Sequence, residues 1–273
     1  MKTTSTSLAK GLCLAGIGIT MAIGTAQAAP VTVRVTVQNL APANGIAFAP
    51  LRLGFNQGVF DAFNIGTIAT APIVSVAEGG GGSDWFPAFA ATEPAATTGS
   101  VGGLLLAGAS ASNTFTVDAM LNPFFTFGAM VVPSNDFFIG NDSATQYRLF
   151  DANGNLQLTS ITQTADDVWD AGSELFDPAA AAFVGNNGLR TPQNGVVSFN
   201  FAELAGFDGL LTGAGYTFVS GLSAGQDIYR ISFEVVPAPT TLALAGLAIA
   251  GLAVTSRRRP RDAGARARNV TSL

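Results

Sequence analysis

Residues Val31 to Gln38 alternate strictly, with Val31, Val33, Val35 and Val37 on one side and Thr32, Arg34, Thr36 and Gln38 on the other. A period of two marks a strand with one face buried and one wet. Tyr229 to Val235 repeats the pattern near the far end, and Val197, Phe199 and Phe201 alternate likewise. Phe124 to Val132 is apolar on both faces and predicts a core strand. Shorter strand candidates lie at 51–55, 73–77, 114–118, 146–150, 156–161 and 216–219, split by Gly and Asn clusters such as Gly79 to Gly82 and Asn153-Gly154. Many short strands separated by turns predict an all-β antiparallel sandwich or barrel. Helical signals are brief. Asp177-Pro178 before Ala179 to Phe183 and Gly185 reads as a capped helix of one or two turns, and Asn200 with Glu203 as a second short turn. With no interior linker or repeat, residues 29–236 read as one domain.

The two ends break this pattern. Lys2 and Lys10, an apolar run from Gly11 to Gly24 and the small-residue site Ala26-Gln27-Ala28 predict a secretory signal over 1–28. The alternative, a membrane anchor, is disfavoured by the shortness of the run. Cys13 lacks the aliphatic residue that a lipidation site carries three positions upstream. At the other end, Thr240 to Ser256 is apolar and is followed by Arg257-Arg258-Arg259. Its length, about 25 Å as a helix, is at the short limit for crossing a bilayer. The arginines would stay cytoplasmic and leave the domain outside. Pro237-Ala238-Pro239 precedes the run. This arrangement resembles the PEP-CTERM sorting signal of Gram-negative bacteria, with Ala238 where that family has Glu and a longer basic tail over 260–273. The resemblance implies a transmembrane sorting segment over 237–259, transient anchoring in the inner membrane, and cutting by an exosortase-type enzyme. The mature protein would then be at the cell surface or extracellular. A plain C-terminal anchor is the alternative.

Composition sharpens the picture once the ends are set aside. The whole chain is 48% hydrophobic and 11% charged with a net charge of −5. Residues 29–236 hold five Arg and no Lys against seventeen carboxylates, a net charge of −12. Nothing there would neutralise phosphate, so nucleic acid is excluded as a partner. The chain has no His and its one Cys is Cys13, which excludes His-based catalysis and His-ligated zinc. Carboxylates remain, and they suit hard divalent cations.

Four segments are candidates for chemistry. Gly221-Leu222-Ser223-Ala224-Gly225 matches a nucleophile elbow, but that motif needs a His base and a strand-turn-helix setting. Asp151 to Asn155 has a faint likeness to a calcium loop, and Asn153-Gly154 is better read as a hairpin turn. Met130 to Gly140 places Asp136 in a Pro-Ser-Asn-Asp turn at the end of a buried strand. Trp169-Asp170-Ala171-Gly172-Ser173-Glu174, after Asp166-Asp167, gathers carboxylates that need solvent or a cation to balance them.

The last two segments, in this order, resemble the spondin N-terminal domain of F-spondin, mindin and bacterial exported proteins. Val31 to Leu40 and Val76-Ala77-Glu78-Gly79 fit the same family. The resemblance implies a C2-like β-sandwich and a divalent cation, calcium, at one end. The family's motif carboxylates fall on Asp136 and Asp170. Its third ligand is a Glu on the strand upstream; the matching region here, Thr116-Val117-Asp118, has no Glu. There Asp118 either substitutes or points elsewhere.

The reading is a non-enzymatic exported binding, adhesion or matrix protein that contacts extracellular polysaccharide or a surface protein, with cation dependence. Two alternatives stay open. One is a carbohydrate-binding module using Trp85, Phe86, Trp169, Tyr147 or Tyr229. The other is a hydrolase with Asp136 and Asp170 as acid and base.

Overall fold

The computed structural model describes residues 30–237. The signal segment, the apolar run and the basic tail lie outside the described residues, as do Ala238 and Pro239 of the sorting motif. Among the described residues no helix is long and apolar enough to cross a membrane.

The described chain is mostly β, in two antiparallel sheets. Strands β1 (Val31–Asn39), β5 (Ser110–Val117), β8 (Ser160–Thr164) and β11 (Asp227–Val235) form the first, in the order β5-β1-β11-β8. The second joins β10 (Ser198–Phe199), β9 (Trp169–Asp170), β7 (Phe137–Gly140), β6 (Phe124–Val132), β3 (Leu51–Asn56) and β4 (Thr97–Val101) in that order, with β2 (Ala47–Phe48) also on β6.

The valine alternation does what its period requires. Val33, Val35 and Val37 are buried, and across the sheet they face Val235, Phe233 and Ile231. They join Phe55, Phe125 and Phe127 of the second sheet in one core. Aromatic pairs tie the sheets together: Phe125 meets Phe233 edge-on with ring centres 4.9 Å apart, and Phe55 meets Phe115 at 5.7 Å. Burying one such ring contributes about 1.5–3 kcal/mol.

Strand β6 is buried on both faces, as its sequence predicts, because two short helices cover the back of its sheet. These are α1 (Ala71–Ala77) and α2 (Trp85–Thr92). Trp85 and Phe89 pack with Ile73, Val76 and Phe138 in a second core. Glycines make the space: a Cβ on Gly54 would overlap the Phe89 ring, and one on Gly128 would lie 3.2 Å from Trp85.

Three sequence expectations change. Residues 73–77 form part of helix α1, not a strand: Ile73, Val76 and Ala77 are buried at helical spacing, and Pro72 occupies the first turn, where its missing N–H costs nothing. The expected helix over 179–183 is a series of turns. The Ala182 amide donates to Ser134 O and Phe183 sits at φ 77°, which stops a helix from propagating. Residues 146–150 and 216–219 contribute only isolated bridges. The short turn at Asn200 is present as a 3-10 helix over Phe201–Phe207.

Candidate functional site

The turn between β6 and β7 is locked by its own side chains. Ser134 Oγ accepts from the Phe137 amide at 3.0 Å and donates to Val131 O. Asn135 Oδ1 accepts from the Asp177 amide at 3.0 Å, and its Nδ2 donates to Asp177 O at 3.2 Å. This double contact pins the turn to the segment after β9. The Asp136 side chain is thereby held inward at 2% exposure. Its Oδ2 accepts from the Ser173 amide at 2.6 Å, the Ser173 hydroxyl at 3.0 Å and the Glu174 amide at 2.9 Å.

Strand β9 delivers the second carboxylate. Asp170 stands opposite Phe137 on one side and Ser198 on the other. Its Oδ1 accepts from the Gly172 amide at 2.6 Å. Gly172 has φ 67° and lies against the backbone of Gly195 and Val196, where a Cβ would sit 2.8 Å from backbone atoms. Glycine is therefore required at the bend that folds Ser173 and Glu174 back onto Asp136.

Asp136, Asp170, Glu174 and Glu203 line one pocket of about 350 Å³, together with the amides of Asn135 and Gln193. None of its lining residues is basic. Every acid there is raised, and burial is the largest cause for each. Burial, then the neighbouring Asp170 charge, pushes Asp136 up to about 6 despite its three hydrogen bonds. Burial raises Asp170 and Glu203 as well. Glu174, at 3% exposure, rises to about 7 through burial and the Glu78 carboxylate, against the opposing pull of Arg190. Raised carboxyls gathered in a cleft mark a place where an added positive charge is favourable.

The structure thus places Asp136 and Asp170 on one pocket, but not Asp118. Asp118 lies in the turn before β6 and Asp136 in the turn after it, so the nine-residue strand separates them, a span of roughly 27 Å. Asp118 Oδ1 accepts from the Met120 and Leu121 amides at 3.1 Å each and closes its own turn. The acids that do join the pair are Glu174 and Glu203. Among the described residues no three His, Cys, Asp or Glu side chains converge to hold one ion, so a cation at Asp136 and Asp170 would complete its shell with water and amide oxygens.

Other candidates resolve locally. Trp85 and Tyr229 are buried in the core and offer no face to a sugar. Asp151 Oδ1 accepts from the amides of Asn153 and Asn155, as a turn residue does. Ser223 sits in a loop beside Gln226. Glu203 was not legible as a site residue, nor Arg190 as the partner of Glu174. Glu203 reads as part of a short capped turn, and only the packing of that turn beside β9 turns it inward. Compared with known proteins, the chain matches no family model and no curated sequence.

Proposed function

We propose that this protein is an exported, non-enzymatic binding protein of the adhesion or matrix kind, whose ligand contact depends on a divalent cation, calcium, held by Asp136 and Asp170. The observation that carries this reading is the pocket itself: four carboxylates around about 350 Å³ with no basic lining residue. The sheets are read as a C2-like sandwich of the spondin type, with the pocket among loops at one end. The N-terminal signal and the Pro237-Ala238-Pro239, apolar, Arg257-Arg258-Arg259 series support export, inner-membrane anchoring and exosortase-type processing.

Calorimetric titration of the purified protein with calcium tests the site, with Asp170→Asn as the control. One bound ion in the wild type and none in the variant is the expected result. Heat changes identical to buffer in both would refute the reading. A carbohydrate-binding role is favoured as the use of the site by one observation. Phe176, an aromatic at 44% exposure, lines the pocket beside the acids and packs against Phe207. Polysaccharide pull-down with and without EDTA separates it from contact with a surface protein.

A further inference from the structure

The structure assigns a second cation position, between Glu78 and Glu174, which the chain fills with its own Arg190. Nη1 of Arg190 lies 3.2 Å from Glu78 Oε2 and 3.3 Å from Glu174 Oε1. An arginine matched to one carboxylate makes two parallel N–H···O bonds. Here a single nitrogen is shared between two acids, which is the task of a point charge. Glu174 shows the mismatch: it is 3% exposed, and Arg190 Nη1 reaches its Oε1 as a charge contact without hydrogen-bond geometry. A buried acceptor without a donor is costly unless an ion faces it.

Two pockets meet at this position. Glu174 lines the one that holds Asp136 and Asp170. On the other side, Glu78, Asp84, Ser75, Ser83 and Arg190 line a second pocket of about 320 Å³, rich in the oxygen ligands that hard cations take. The Arg190 side chain is 44% exposed, so it reaches the acids from the solvent side and can be withdrawn without opening the core.

Arg190 therefore sets how many divalent ions the protein takes. With it in place, Glu174 is balanced from outside and one ion enters, at Asp136 and Asp170. Without it, Glu78 and Glu174 face each other uncompensated and take a second ion. The count of one in the wild type rests on the proposed function; the added ion does not.

The test is calcium titration by calorimetry of the purified full-length protein, Arg190→Gln and the double variant Arg190→Gln/Glu78→Gln. The expected stoichiometries are one, two and one. An Arg190→Gln protein that takes no more calcium than the wild type overturns the inference. A wild type that takes none, beside an Arg190→Gln protein that takes one, overturns the proposed function and upholds the inference. Should Arg190→Gln fail to fold in EDTA, its thermal unfolding decides. A cooperative transition restored by calcium supports the second position, and its absence with calcium present overturns it.

Discussion

Asp136→Asn isolates the charge stored in the pocket. Asn keeps the shape of Asp, and its Oδ1 can accept from the Ser173 and Glu174 amides that now lie 2.6 and 2.9 Å from Asp136 Oδ2. Its Nδ2 offers Asp170 a donor where a second carboxyl stood. Burial and Asp170 move Asp136 from an ordinary 3.8 to about 6. At 1.36 kcal/mol per pH unit, that rise amounts to about 3 kcal/mol. The folded-state pKa lies above the unfolded one. Stability from this group is therefore full below about pH 4 and lost as pH rises through about 6. At pH 7.5 without divalent cations the wild type carries the whole penalty and the variant none. Asn gives back about 1–2 kcal/mol, because a neutral acceptor makes weaker hydrogen bonds than a charged one. The net stabilisation is about 1–2 kcal/mol, or about 3–6 °C in Tm for a domain of this size. Thermal unfolding followed by circular dichroism in EDTA should show that gain at pH 7.5 and little difference at pH 4. Millimolar calcium should then reverse the order, because it stabilises only the form that binds it. A variant that melts below the wild type at pH 7.5 in EDTA refutes the reasoning.

Two further substitutions probe the scaffold. Phe125→Ala removes a fully buried ring that packs on Phe55 and Phe233, and urea unfolding should show a loss of about 3–5 kcal/mol. Glu93→Gln tests a structural acid away from the pocket: its two oxygens accept from the amides of Gln57, Val59 and Phe60. Replacing one oxygen with a donor should lower stability by about 1–3 kcal/mol in the same assay while leaving calcium titration unchanged.

The strands were legible where burial follows the chain's own period. β1 and β11 show alternation because one face meets core and the other solvent, and β6 lacks it because helices α1 and α2 cover its back. The segment 73–77 misled because so short a stretch fits either period. Its three buried residues, Ile73, Val76 and Ala77, reveal the helix only once the surface they cover is known. Helix α2 left no signal of its own; its first turn carries Trp85 and Phe86 side by side, and only the gaps at Gly54 and Gly128 decide that Trp85 and Phe89 turn inward.

The site divides in the same way. By itself the sequence determined the chemistry available: a domain without His or Lys, with seventeen Asp and Glu against five Arg, Asp136 in a strand-end turn and Asp170 before a Gly bend. Those facts depend on residue type and near-neighbour spacing, which the linear order contains. Only the tertiary structure decided which acids share a pocket. Asp118 is nearer to Asp136 along the chain than Glu203 is, yet β6 carries it to the far end, while β9 and the following turns bring Glu174 and Glu203 back to Asp136. It also decided that Arg190, alone among the five arginines of residues 29–236, stands between Glu174 of the site and a second acid, Glu78. Coulomb forces act over a few ångströms of space, and chain separation says nothing about that distance until the sheets are paired.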